Sequence, residues 1–144
     1  MTHRILVMLT LLSAMVPLAD AAAQPDTPAR VLERSEILIQ ARHYEDAEKQ
    51  LVAYVGLKDA TRKDYASYLQ ALVSYYQKQD TSAVAFCDLV EKNHATSPWL
   101  RKARFLKAQA LIRQKKHKQA NAIYEAEANR LFAGAMTSSQ VDSY

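Results

Sequence analysis

Glycine is nearly absent from this chain: Gly56 and Gly134 are the only two in 144 residues. Hairpin-rich β folds draw on glycine for turn positions with positive φ, so its scarcity argues against them. Cysteine is reduced to Cys87, which has no partner for an intrachain disulfide. Motifs that carry chemistry are missing too. There is no Gly-rich phosphate loop, no nucleophile elbow and no H-E-x-x-H. His43, His94 and His117 stand apart, with no histidine at i+4 and no Cys or Asp at ligand spacing. Glu125 and Glu127 are close in sequence, but at i, i+2 on a helix they point to different faces. The expectation is a protein that is not an enzyme and has no cofactor and no metal site.

What remains is helix-forming material. Apolar residues make up 49% and charged residues 24%, the balance of a folded chain rather than a disordered one. Ala, Leu, Gln, Lys, Arg and Glu dominate and favour helix. The length allows one small domain. An all-α fold is predicted.

The N-terminus reads as a targeting segment. His3 and Arg4 precede an apolar run from Ile5 to Leu18, broken only by Thr10, Ser13 and Pro17. Small residues follow, and either Ala19-Asp20-Ala21 or Ala21-Ala22-Ala23 suits a signal peptidase. The run is shorter than the roughly 20 residues needed to cross a bilayer. Residues 1–23 are therefore expected to be a signal peptide and 24–28 a short linker, leaving a periplasmic or secreted chain that meets a membrane only through the signal. Export permits disulfides, yet Cys87 is alone. Its neighbours Ala83, Val84, Phe86 and Val90 suggest a helix interior, where free cysteine acts as a small apolar residue.

Three short polar stretches resemble one another: Gln40–Ala47, Tyr76–Ala83 and Arg113–Ala120. Each interrupts an apolar helical run and restarts a helix around an alanine. Those alanines, Ala47, Ala83 and Ala120, lie 36 and 37 residues apart, a period that points to stacked helix–turn–helix units. Six helices are predicted. Thr27-Pro28 caps the first, which runs to about Ala41. The second spans about Tyr44 to Val55 and stops near Gly56. Thr61 with Asp64 approximates a capping box for the third, to about Gln77. Asp80 can cap the fourth, ending near Asn93, and Ser97-Pro98 opens the fifth, to about Gln114. The sixth starts near His117 and fades between Phe132 and Gly134, with a flexible tail over 134–144.

On these residues the three hairpins resemble tetratricopeptide repeats. The small residues that such repeats need at close helix contacts are matched by Ser35, Ala71 and Ala108, then by Ala47, Ala83 and Ala120. Tyr44 and Pro98 also sit at family-like positions. The departures are a longer repeat, with extra residues in the Val55–Thr61 and Asn93–Ser97 connections, and Arg34, Gln70 and Lys107 where a large apolar residue is usual. The resemblance implies three stacked hairpins over 29–133, forming a TPR-like right-handed solenoid that binds protein or peptide on its concave side. The segment Gln119–Leu131 is also similar to helical-repeat regions that precede large bacterial alpha-2-macroglobulin-like proteins. That likeness implies an N-terminal fragment or stand-alone relative of such an exported protein.

In this register a groove would be lined by Tyr65, Tyr68, Leu72, Tyr75 and Tyr76, with Lys102, Phe105, Gln109 and Arg113 on the next repeat and Glu36 and Gln40 on the first. Tyrosines offer contact area with a polar handle, and the cations suit acidic or C-terminal carboxylate groups of a peptide. The same tyrosines also satisfy the pattern of a stripe packed between hairpins. From Arg101 to Lys118 there are eight Lys/Arg residues and no acid, which admits a polyanion-binding alternative. These charges scatter around a helix, however, and Lys115 and Lys116 fall where a helix C-terminus favours cations. The expected function is a cell-envelope scaffold with an unidentified protein or peptide partner and no nucleic acid. Ile123, Tyr124, Leu131 and Phe132 leave the last hairpin without a cover, so a partner or a second copy is expected at that edge.

Overall fold

The computed structural model describes residues 27–141, and the expected signal peptide lies outside them. Six α-helices follow in order: α1 (Pro28–Gln40), α2 (Tyr44–Gly56), α3 (Lys63–Tyr76), α4 (Asp80–Asn93), α5 (Leu100–Arg113) and α6 (His117–Val141). No strand occurs among the described residues. Each helix packs on the next in sequence, and α3 also touches both α1 and α5.

The starts of the helices have local causes, and not all are the expected ones. Thr27 does cap α1: its Oγ accepts from the Arg30 N–H at 3.4 Å, with Pro28 at the first helical position. Pro28 thus belongs to the helix and not to a linker. The capping box expected for α3 does not form. Asp64 instead accepts from the Ser97 hydroxyl at 2.6 Å, and the Tyr54 hydroxyl accepts from the Arg62 N–H at 3.1 Å as the chain enters α3. Asp80 opens α4 but makes no cap, because Arg113 takes its carboxylate. Ser97-Pro98 forms a turn ahead of α5, with the Ser97 Oγ accepting from the Trp99 N–H at 3.1 Å. At the other end, α6 does not stop at Gly134 but continues to Val141, so the flexible tail expected from 134 onward is helical over 134–141.

The three hairpin turns share one backbone design. Arg42, Lys78 and Lys115 have φ of 63°, 63° and 62°, in the left-handed region. In the first turn His43 N–H reaches back to Leu38 C=O at 2.8 Å and Arg42 N–H to Ile39 C=O at 3.0 Å. The same pair of bonds recurs as Gln79 to Ser74 with Lys78 to Tyr75, and as Lys116 to Leu111 with Lys115 to Ile112. This is the Schellman motif, which usually places glycine at the left-handed position. Gly56 is not used in this way, since neither glycine has positive φ. Long cations sit there instead. They bear the strain of that conformation but favour the negative end of the preceding helix.

The core is a series of three clusters. Val31, Leu32, Ala47, Leu51, Tyr54, Leu69 and Val73 form the first; Ala71, Cys87, Val90, Ala103 and Leu106 the second; Ala108, Leu111 and Ala120 the third. Tyr68 and Leu72 pack against both of the first two. The six small positions singled out in the sequence, Ser35, Ala71, Ala108, Ala47, Ala83 and Ala120, are all at 0% exposure. The Ser35 hydroxyl donates to the Val31 carbonyl at 2.8 Å, so its burial leaves no unmet donor. Cys87 is buried as well. Burial pushes its thiol up to about 12, helped by the charges of Asp88 and Glu91 and partly opposed by Lys107.

Two tests follow from this packing. Replacing Lys78 by glycine is expected to stabilise the fold by roughly 0.5 kcal/mol, and Lys78→Val to destabilise it by ~1 kcal/mol or more, since a β-branched residue tolerates positive φ worst. Urea unfolding midpoints in the order Gly, Lys, Val check this; a Gly variant weaker than Val contradicts it. Buried and with its pKa pushed up to about 12, the Cys87 thiol stays protonated in the fold at pH 8. An aromatic disulfide reagent should therefore modify Cys87 in denaturant but not in buffer, followed by absorbance.

Candidate functional site

The tyrosines of α3 divide between its two ends. Near the start, Tyr65 stacks on Trp99 with ring centroids 4.1 Å apart, and Tyr68 lies 5.4 Å from the same indole. Cations close the column on both sides: Arg62 sits 4.5 Å from the Tyr65 ring and Lys102 4.7 Å from the Trp99 ring. The Ser97–Asp64 hydrogen bond fixes the Trp99 turn against α3. Burial raises Asp64, but the bonds from Ser97 and from the Tyr65 N–H, with the His94 charge, leave it lowered overall.

Near the end of α3, Tyr76 stacks on Tyr44 at 5.2 Å and meets Tyr75 edge-on at 6.1 Å. Arg113 lies over the Tyr75 ring at 3.8 Å. Its Nη2 donates to the Tyr75 carbonyl at 2.7 Å, and its Nε donates to Asp80 at 2.7 Å. A single guanidinium thus ties the end of α5 to the end of α3 and the start of α4. Its charge is met by Asp80 within the fold.

The nine expected groove residues are consequently not one continuous lining. Tyr65, Tyr68 and Lys102 join Trp99; Tyr75, Tyr76 and Arg113 gather at the opposite end of α3. Phe105 turns to Tyr124 on α6, with centroids 5.9 Å apart, and Leu72 packs between core clusters. Of the nine, Tyr76, Gln109, Lys102 and Arg113 are the exposed ones. Trp99 was missed in the sequence because it lies outside the helical register, in the turn after Ser97-Pro98. Its place beside a predicted helix start was the available signal.

Three of the eight cations of the basic run, Arg113 among them, are met by acids from neighbouring helices. Arg104 reaches Glu127 at 2.9 Å and Glu91 at 3.8 Å, while Lys107 meets Asp88 at 2.5 Å and Glu91 at 3.3 Å. Burial pulls the Lys107 ammonium down, but hydrogen bonding to Asp88 and the charge of Glu91 hold it above its ordinary value overall. Glu127, only 2% exposed, also accepts from Arg130. Glu125 is exposed, so the two acids do face differently. Arg101, Lys102, Lys115, Lys116 and Lys118 remain exposed, with no ion pair among the described residues.

Open clefts lie between these features. One, between the first two hairpin turns, is lined by Arg42, His43, Tyr44, Asp46, Gln77 and Gln79. Another, of about 520 Å³, lies between the start of α5 and the later part of α6, among Pro98, Leu100, Arg101, Lys102, Arg104, Glu127 and Arg130. Among the described residues no group of three or more His, Cys, Asp or Glu side chains is placed to hold a metal ion. No helix among them is long and apolar enough to cross a membrane.

The aromatic column gives a pH test. Burial pushes the Tyr65 hydroxyl up to about 12 from 10.0, reinforced by the charge of Glu36 and a hydrogen bond to it, and opposed by Arg62. A raised folded pKa means the folded state holds the proton more tightly. This contribution is fully present below pH 10 and is lost as pH rises through about 12. Urea-unfolding stability is expected to fall across that window, with a smaller fall in Glu36→Gln. An identical alkaline profile in the two proteins would remove Glu36 as a cause.

No protein-family model matches the chain, and no curated protein or solved structure is significantly similar to it.

Proposed function

We propose that this chain is a non-catalytic protein-interaction scaffold of the cell envelope, with its three hairpins stacked as a TPR-like right-handed solenoid. The observation that carries the reading is the shared register. Ser35, Ala71 and Ala108 are buried at matching places on α1, α3 and α5, the helices that touch one another across hairpins. Gln40, Tyr76 and Arg113 recur at the same intervals, and all three are exposed. Glu36, Leu72 and Gln109 form a parallel row with one apolar and two polar side chains. Such a strip suits an extended peptide, with Tyr76 as its aromatic anchor and amides on either side for backbone hydrogen bonds. Arg113 contributes less charge than its sequence position promised, because Asp80 already holds it. Export rests on the signal-like residues 1–23.

A second surface has its own support. Leu131 is 48% and Phe132 70% exposed on α6, whereas Ile123 and Tyr124 pack against the third core cluster. This apolar end favours contact with another protein or another copy.

Affinity capture from cell-envelope extract tests both surfaces when three mature proteins are compared. Partners bound by the wild type should drop at least tenfold with Tyr76→Ala plus Gln109→Arg, at unchanged helix content by circular dichroism. Retention there with loss in Leu131→Glu plus Phe132→Glu would move the contact to α6. Equal capture by all three would end the scaffold reading of both faces.

A further inference from the structure

We propose that the cleft between the start of α5 and α6 is a binding site for a phosphoryl group, separate from the face assigned above to a peptide. Four cations line it, Arg101, Lys102 and Arg104 from α5 and Arg130 from α6, against a single acid, Glu127. Pro98 and Leu100 supply apolar surface in the same cleft. The topology makes this concentration: α6 runs back along α5 and brings Arg130 beside a segment that is already basic.

Glu127 organises the floor. It is 2% exposed, and both Arg104 and Arg130 donate an Nη1 N–H to its one oxygen, Oε1. Two guanidiniums are thus drawn together on one carboxylate, a positioning contact that orders both before any ligand arrives. A guanidinium carries five N–H donors. Arg130 spends one on Glu127 and keeps its side chain 54% exposed, so most of its donors remain for a ligand. Arg104 is the more embedded of the two, held also by Glu91 at 3.8 Å.

Charge accounting gives the sign of the ligand. Arg104, Lys107 and Arg130 are met by Asp88, Glu91 and Glu127, which closes that network near neutrality. Among the described residues Arg101 and Lys102 have no acid within ion-pairing distance, and both are exposed at the cleft, Lys102 lying also 4.7 Å from the Trp99 ring. They sit in the first turn of α5, which contains no acid. Cations there are opposed by the helix dipole, so an anion seated among them relieves two repulsions at once. Donors approaching from two helices suit a tetrahedral group with three acceptor oxygens and a charge near −2 better than a planar carboxylate, which one arginine satisfies edge-on. The phosphoryl group can belong to a soluble phosphomonoester or to a lipid headgroup.

Calorimetry with glycerol 3-phosphate, and sedimentation with phosphatidic acid and phosphatidylcholine vesicles, test this on the mature chain. Binding of glycerol 3-phosphate indicates a free phosphate ester; binding confined to phosphatidic acid vesicles indicates a headgroup. In either case Arg101→Gln plus Lys102→Gln should weaken binding at least tenfold, and Arg130→Gln should do so with little effect on folding. Lys115→Gln plus Lys116→Gln, the same charge change at the far end of α5, should stay within twofold. Equal loss in the two double variants would reduce the site to general charge attraction. Absence of binding by either probe at millimolar ligand, or tighter binding of a glutamate-rich peptide than of phosphate, would overturn the assignment.

Discussion

Six small side chains set how close the helices of this protein come. Ser35, Ala47, Ala71, Ala83, Ala108 and Ala120 are all at zero exposure, spaced so that each hairpin contributes one to each of its helices. A larger group at any of them would push two backbones apart, and interiors packed at crystal-like density absorb such volume only by strain. The clusters on either side depend on that approach. Tyr68 and Leu72, on the same helix as Ala71, pack against both of the first two clusters.

The three turns impose a matching constraint at the backbone. A helix that must reverse within three residues needs a left-handed residue at its end, and here an arginine and two lysines accept it. Their charges sit beside helix C-termini, which offsets part of the strain. Arg113 extends the same logic between hairpins. Its bond gives the Tyr75 carbonyl, which already accepts from the Lys78 N–H, a second donor, while its charge meets Asp80 at the start of α4.

Much of this architecture was legible in the sequence because it is local. The alanine spacing, the polar turns and the Thr27-Pro28 cap each depend on neighbours along the chain; all six helices begin, and the first five end, within a few residues of where those signals put them. The end of α6 was misread. Gly134 looked like a stop, but it adopts no left-handed φ and the helix carries through it. The candidate site was far less legible. Its components pair across helices: Ser97 with Asp64, Arg113 with Asp80, Arg104 with Glu127. No periodicity encodes those partnerships. The uninterrupted basic run therefore reads as free charge, although acids on α4 and α6 meet three of its eight cations.

The burial of Glu127 separates a structural explanation of that charge network from a functional one. Taking the Glu127 carboxylate and much of the Arg104 side chain out of water is costly, and well-packed apolar residues commonly do as well or better for stability. Nothing in the helix contacts requires an ion pair there, since Ala103, Leu106 and Ala110 already give α5 a buried stripe. The network instead fixes where two guanidiniums point, on the wall of a cleft that Arg101 and Lys102 also line. Holding the arginines in place during folding lowers the ordering cost left for binding. A purely hydrophobic α5–α6 contact would gain nothing from this arrangement; the proposed anion site would.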